Sequence, residues 1–240
     1  MLRNGRDRAT ARASDPRRQL QALGPFDQLR AGRLVLRIPQ LVLGLILYGV
    51  SMALLIRGAL GVMPWDVLHQ GLARSVPLTF GQIVIITSLV VLLIWIPLRQ
   101  SPGLGTVANA VLIGLVVDPV LSWVDQPEGW LPRIGLMTAG IVLNAVATAM
   151  YIGAQLGPGP RDGLMTGLAR TTGGSIRMVR TLIEVGVVVV GFILGGVLGV
   201  GTVLYALFIG PLTQAMLPWL VVPIEHPVPR PGRGQSRRPR

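Results

Sequence analysis

The sequence predicts an all-α membrane protein with six transmembrane helices, built as two inverted three-helix repeats that each include a short re-entrant or interfacial half-helix. Three observations lead to this prediction. The 240-residue chain is 51% hydrophobic and 13% charged, with a mean hydropathy of +0.61, whereas soluble domains carry about twice that share of charge. One stretch of sequence occurs twice, and the arginines are distributed unevenly around the apolar segments.

The duplicated stretch is LGVMPWDVLHQGLAR, from Leu60 to Arg74, which returns as LGPGPRDGLMTGLAR, from Leu156 to Arg170. The copies lie 96 positions apart, and the match extends without a gap over residues 44–123 and 140–219. About 25 of roughly 80 aligned positions are identical, which indicates an internal duplication.

Six segments are long and apolar enough to span a bilayer, which takes about 20 residues. They are residues 37–57, 80–99, 103–123, 134–155, 178–197 and 200–222. The predicted organisation is a basic cytoplasmic tail (1–36), membrane repeat 1 (37–123), an extracytoplasmic linker (124–133), membrane repeat 2 (134–222) and a disordered Arg/Pro-rich cytoplasmic tail (223–240).

The arginines set the predicted orientation, because cytoplasmic loops are enriched in basic residues. With both termini inside, 19 of the 22 arginines are cytoplasmic, and only Arg57, Arg74 and Arg133 are outside. Three passes per repeat is an odd number, so the second repeat enters the membrane from the opposite side. We therefore expect a multi-pass protein of the plasma or inner membrane.

The two tails supply most of the net charge of +12. Neither tail interleaves aromatic residues with its arginines, as nucleic-acid-binding segments do. We expect them to contact the bilayer through its anionic lipid headgroups and to bind no nucleic acid.

The duplicated stretch also has a mechanical interpretation. Gly61, Pro64 and Asp66 stand where one helix would end and a short one begin, with the carboxylate accepting first-turn N–H bonds. At about 10 residues the new helix is too short to span. It is either a capped surface helix or a half-helix that reaches the midplane and presents N–H groups or carboxylates to a ligand.

Charged residues in membrane segments are costly unless they are paired or functional. The candidate substrate or ion ligands are Asp66, Asp162, Arg161, Arg177, Arg180 and Glu184. Arg180 and Glu184 share a helix face and either neutralise each other or form an anion or proton site. We expect Asp162 to stay ionised beside Arg161, which makes Asp66 the better candidate for a protonatable group.

Several further polar residues are assigned structural roles. Asp118 is interpreted as a helix-end residue and not a ligand. Interhelical hydrogen bonds are expected for Asn109, Asn144, Tyr205 and Gln82.

Two matched strips of small residues have a spacing of four: Thr106, Ala110 and Gly114, and Thr202, Ala206 and Gly210. Such strips permit close helix approach. They predict that the third and sixth spans pack near the repeat axis, or that each strip contacts another helix.

Enzyme signatures are not recognisable, so we expect no enzyme, no cofactor and no metal site. Cysteine is absent, His226 lies in a tail, and His69 lacks a second histidine or cysteine at metal-ligand spacing.

Four segments carry a family resemblance: GALGVMPWDVLHQGLAR, LGPGPRDGLMTGLAR, GSIRMVRTLIE and GVGTVLYALFIGPL. They resemble the YczE/YitT-like bacterial integral inner-membrane proteins over residues 35 to 222. The resemblance implies several spanning helices with a repeated Gly-Pro-Asp element, and it leaves the substrate open.

Two classes of function are compatible with these features. One is a transporter or permease for a small, possibly anionic, solute, and the other is a non-transporting membrane factor that binds or assists a partner protein or lipid. In a transporter, Arg161, Arg177, Arg180 and Glu184 should line a cavity. In a membrane factor they should pair with one another and face a partner or lipid headgroups.

Overall fold

The computed structural model describes residue 20 and residues 23–224, and all regular structure in this part of the chain is α-helical. Both predicted tails lie mostly outside it. The described helices are α1 (Pro25–Arg30), α2 (Leu34–Gly58), α3 (Pro64–Ser75), α4 (Phe80–Trp95), α5 (Leu104–Trp123), α6 (Trp130–Gly153), α7 (Pro160–Thr172), α8 (Ile176–Ile193) and α9 (Val200–Leu220).

Four of these helices, α2, α5, α6 and α9, are long and apolar enough to cross a membrane. A fifth crossing is possible if α3 and α4, which meet at an angle of 116°, count as one broken span. The sequence predicted six spans. Two of the six predicted spans do not qualify as membrane-crossing helices. Helix α4 has only 16 residues, and α8 includes three charged residues.

The helices follow the duplication of the sequence. Helices α2 to α5 begin at residues 34, 64, 80 and 104, and α6 to α9 begin at 130, 160, 176 and 200, each 96 positions later. The predicted short helices therefore exist in both halves, as α3 and α7. Two helices begin inside segments predicted to lie outside the membrane: α2 begins at Leu34, in the predicted tail, and α6 begins at Trp130, in the predicted linker.

The halves are joined by an exchange of their short helices. At the centre α2 packs along α6, while α3 of the first half packs on α8 of the second and α7 of the second packs on α4 of the first. The exchanged contacts are close. Trp95 of α4 lies against Gly163 of α7, and Gly191 of α8 lies against the backbone of Val67 and Leu68 in α3.

The turn that leads into each short helix is held by the start of a long helix of the other half. Gly61 and Gly157 adopt φ of 117° and 121°, where a side chain would be strained. The amide of Gly201 donates to the carbonyl of Leu60, and that of Gly105 donates to the carbonyl of Leu156, each at 2.7 Å.

A buried arginine fixes the end of α6. Arg37 is fully buried, and its guanidinium donates to the carbonyls of Ala154 at 2.8 Å, Gln155 at 2.7 Å and Gln28 at 2.6 Å. These hydrogen bonds compensate the burial of the charge, and carbonyls beyond a helix C-terminus favour a cation. Arg37 therefore ties the start of α2 to the segment that precedes α7.

The small-residue strips do not bring α5 and α9 together, since these helices do not pack along each other. Thr106 donates to the carbonyl of Pro158, and Gly114 lies against Gly81 of α4. In the second strip Thr202 lies against Gly61, Ala206 is exposed, and Gly210 has no atom within 4 Å of its Cβ position. The first strip contacts other elements, which was the alternative that the sequence left open, and in the second strip only Thr202 makes such a contact.

Gly163→Ala should destabilise the protein by about 1–3 kcal/mol, the usual cost of overpacking. Its new methyl group would overlap the ring of Trp95 and would displace the indole, whose N–H donates to the carbonyl of Pro160. The measurement is the temperature at which half of the detergent-solubilised protein remains monodisperse. Gly186→Ala is the matched control, since nothing lies within 4 Å of that position. An unchanged temperature for Gly163→Ala would mean that α4 and α7 do not pack as described.

Candidate functional site

The first turns of the two short helices are in contact through the side chain of Arg161. Arg161, in the first turn of α7, places its guanidinium 4.0 Å from the carboxylate of Asp66, in the first turn of α3. The same guanidinium lies 5.0 Å above the indole ring of Trp65, a cation–π arrangement. The sequence-predicted residues Asp66, Arg161 and Asp162 are thus brought to one place.

Asp66 is fully buried, and its hydrogen bond goes to a side chain and not to its own first turn. Its Oδ1 lies 3.1 Å from Nδ1 of His69, and Nε2 of His69 lies 2.9 Å from Oγ1 of Thr87 in α4. Its Oδ2 has no hydrogen-bond partner among the described residues. The expectation that Asp66 accepts hydrogen bonds from first-turn N–H groups is therefore corrected. Its partner is instead the imidazole of His69, one turn further along α3.

Asp162 is also bonded to a side chain. The hydroxyl of Tyr151 in α6 donates to Asp162 Oδ2 at 2.7 Å, and the Tyr151 ring packs edge-to-face on Tyr48 of α2 with centroids 6.3 Å apart. Asp162 is partly exposed, unlike Asp66. The two repeated carboxylates therefore stand in different environments.

A second polar chain crosses the core beside these groups. The hydroxyl of Tyr205 in α9 donates to Oδ1 of Asn144 at 2.8 Å, and the Asn144 amide donates to Ser51 at 2.8 Å. This confirms the interhelical role expected for Asn144 and Tyr205. Gln82 differs from expectation, because it forms a capping box with Thr79 at the start of α4.

A cavity of about 310 Å³ lies at the start of α7. All three tyrosines of the chain line it, together with Arg161, Asp162 and Arg180. Its other polar lining residues are Ser88, Asn109, Thr148, Thr213 and Gln214. A smaller cavity of about 180 Å³ shares Arg180 and Tyr205 with it and includes Glu184.

Two of the three charged residues of α8, Arg180 and Glu184, line these cavities. Nε of Arg180 is 2.9 Å from Glu184 Oε1, and the two side chains are 54% and 28% exposed. Arg177 is exposed and does not line either cavity. Arg161, Arg180 and Glu184 thus line cavities, as expected of a transporter, and Arg177 does not. The pairing of Arg180 with Glu184 is the arrangement expected of the alternative, a non-transporting membrane factor.

The halves differ in how their last two helices pack. In the first half α4 and α5 are in close contact, and Asp118 of α5 accepts hydrogen bonds from the amide of Gly81 at 2.7 Å and the hydroxyl of Thr79 at 2.5 Å. Asp118 is therefore a helix-end residue, as predicted. In the second half α8 and α9 do not pack along each other, and the cavity lies between them. The equivalent of Gly81 is Arg177, and the equivalent of Asp118 is Gln214.

Sequence reasoning missed His69, Thr87, Tyr48 and Tyr151. The spacing of three between Asp66 and His69 was the available signal, because residues three apart share a helix face. No group of three or more histidine, cysteine, aspartate or glutamate side chains that could hold a metal ion occurs in the part of the chain that the structure describes.

Residues 35–218 match the model of a family described as "Family of unknown function (DUF6198)". An uncharacterized protein of Haemophilus influenzae is 38% identical over 74% of this chain and 81% of its own length. The uncharacterized membrane protein YczE of Bacillus subtilis is 33% identical over 82% of this chain and 93% of its own length. The uncharacterized protein YyaS of the same species is 27% identical over 73% and 90%. No solved structure matches the chain. The chain therefore belongs to the YczE-like family of uncharacterized membrane proteins.

Proposed function

We propose that this protein is a transporter for a small anionic solute and that it works by alternating access. In this proposal the two repeats are inverted in the membrane, both termini are cytoplasmic, and the cavity at the start of α7 holds the solute. The proposal includes no enzymatic step. The Arg-rich segments 1–19 and 225–240, which lie outside the described residues, contact anionic lipid headgroups.

The contact between the first turns of the two short helices supports the inversion. Such a contact is expected when half-helices of 12 and 13 residues lie in opposite halves of the membrane and both have their N-termini near the midplane. If α4 and α8 each complete a membrane crossing, each half of the chain crosses the membrane three times. Because three is an odd number, the two halves then have opposite orientations in the membrane.

The difference between the halves is the observation that carries the proposal. The cavity is lined by the N-terminal part of α8 and the C-terminal parts of α6 and α9, ends that the arginine distribution assigns to the cytoplasm. The opposite side is closed by Asp118 on the start of α4. Repeats that share a sequence can exchange these two arrangements, which would close the cytoplasmic side and open the outer side.

An anion fits the chemistry of the cavity. The N-terminus of α7 lines it, and that end has the partial positive charge of unsatisfied N–H groups. The Arg161 guanidinium is held by one 4.0 Å contact and a ring, so it keeps N–H groups for a carboxylate or phosphate. A volume of about 310 Å³ limits the solute to a small molecule.

Cysteines at the repeat-related positions Ser75 and Thr171 should react from opposite sides of the membrane. Both residues are exposed at the ends of α3 and α7, and the native chain has no cysteine. An impermeant thiol reagent applied to right-side-out and inside-out vesicles should label Ser75→Cys only from outside and Thr171→Cys only from inside. Labelling of both from one side would contradict the inverted repeat.

Cysteine in place of Ser88, which is buried and lines the cavity, should react from both sides as the cavity alternates. Gly210→Leu should prevent the reaction of Ser88→Cys with reagent applied from outside. A leucine side chain in the space between α9 and α8 would keep these helices apart and the cytoplasmic side open. Asp118→Ala should increase the outside reaction several-fold, because it removes both hydrogen bonds that close the outer side. The rate of labelling in oriented vesicles measures both effects.

Glu128→Cys, in the exposed connection between the halves, is the control for reagent access, and its rate should not change with either substitution. A Ser88→Cys that never reacts from outside, even with Asp118→Ala, would indicate a one-sided pocket, which fits the non-transporting membrane factor and not a transporter.

A further inference from the structure

We propose that Asp66 and His69 form a reversible proton-binding site and that its proton is coupled to anion binding at Arg161. This inference rests on the proposed transport function and identifies the proton as the coupling ion. It starts from two buried titratable side chains of α3 that hydrogen-bond to each other and not to the backbone of the helix.

The pair contacts side chains from two other helices. Thr87 of α4 and Arg161 of α7 are its polar neighbours, and the ring of Phe80 lies edge-on to the imidazole at 5.8 Å. Tyr48 of α2 and Tyr205 of α9 are the other titratable groups that interact electrostatically with Asp66. Both Asp66 and His69 are fully buried. Arg161 is the single cation that the described structure places against the carboxylate.

Thr87 allows both protonation states of His69 without rearrangement. Its hydroxyl oxygen is 2.9 Å from His69 Nε2, 2.7 Å from the carbonyl of Ile83 and 3.1 Å from that of Val84. When the imidazole is neutral, Nδ1–H donates to Asp66 and the Thr87 hydroxyl donates to Nε2. When the imidazole is protonated, Nε2–H donates to Thr87, whose hydroxyl turns to Ile83. A buried polar group thus keeps its partners in either state.

The added proton changes the charge opposite Arg161. The Asp66–His69 pair has a net charge of −1 when the imidazole is neutral and 0 when it is protonated. The attraction that holds the Arg161 guanidinium at 4.0 Å therefore weakens when the proton binds, and Arg161 is free to turn to an anion in the cavity that it lines. By linkage, proton and anion each raise the affinity for the other, which is the relation that a symporter needs.

The site can be tested without a known solute by nuclear magnetic resonance of protein labelled with ¹⁵N in its histidine rings. The only other histidine, His226, is replaced by glutamine so that His69 is observed alone. In nanodiscs the His69 ring should change from neutral to protonated as the pH is lowered. Arg161→Gln should move the midpoint to higher pH by on the order of one unit, since it removes the cation beside the pair.

Asp66→Asn should leave His69 neutral throughout, since a buried imidazolium then lacks its carboxylate. Thr87→Ser keeps the hydroxyl and should titrate like the parent, which controls for loss of packing. Each variant is compared at equal monodispersity.

A His69 ring that stays in one protonation state in the parent protein would overturn the proton site. A midpoint that Arg161→Gln does not move would overturn the coupling. A midpoint that depends on sodium concentration at constant ionic strength would assign the site to sodium instead. These readouts do not depend on the vesicle labelling, so failure of the transport proposal and failure of the proton site are distinguishable.

Discussion

The contact of Arg161, in the first turn of α7, with the buried carboxylate of Asp66, in the first turn of α3, is the constraint on which the rest of the structure depends. Each N-terminus has the equivalent of about half a positive charge, and two such ends in neighbouring positions repel in a medium of low dielectric constant. Asp66 and Asp162 stand in the first turn of each short helix and offset this repulsion. The residual positive potential makes the cavity at the start of α7 suited to an anion.

The exchange of short helices between the halves determines how the molecule could move. Because α3 packs on α8 and α7 packs on α4, a shift of either short helix displaces an element of the other half. The exchanged contacts use glycine on one side in both cases, Gly163 against Trp95 and Gly191 against Val67. The repeats thus reached similar packing with the large and small residues interchanged. This arrangement couples the closed interface between α4 and α5 to the open one between α8 and α9.

Much of the fold could be predicted from the sequence because the duplication compares the chain with itself. The short helices begin at Pro64 and Pro160, as predicted, since proline suits the first turn and the glycine three residues earlier permits the turn before it. The exchange of short helices could not be predicted, because it depends on contacts between residues about a hundred positions apart. The burial of Arg37 was missed for a similar reason, since its carbonyl partners lie beyond the end of α6.

The candidate site was predicted in part. The repeat identified Asp66 and Asp162 as equivalent, but their different partners, His69 and Tyr151, come from positions where the copies differ. His69 was considered as a metal ligand, and it was set aside because no second ligand stood near it in sequence. Its hydrogen bond to Thr87 joins residues of two helices and became visible only in three dimensions.

The central claim is that the two sides of the cavity open in alternation, and distances between spin labels test it most directly. One pair of labels, at Gln82 and Ser122, spans the outer ends of α4 and α5, and the other, at Met178 and Ala215, spans the corresponding ends of α8 and α9; all four residues are exposed. The account predicts two distances for each pair in the bilayer. The short distance of one pair should be populated to the same extent as the long distance of the other pair. Both sets of populations should shift together when the pH is changed. A single distance for both pairs under all conditions would contradict it.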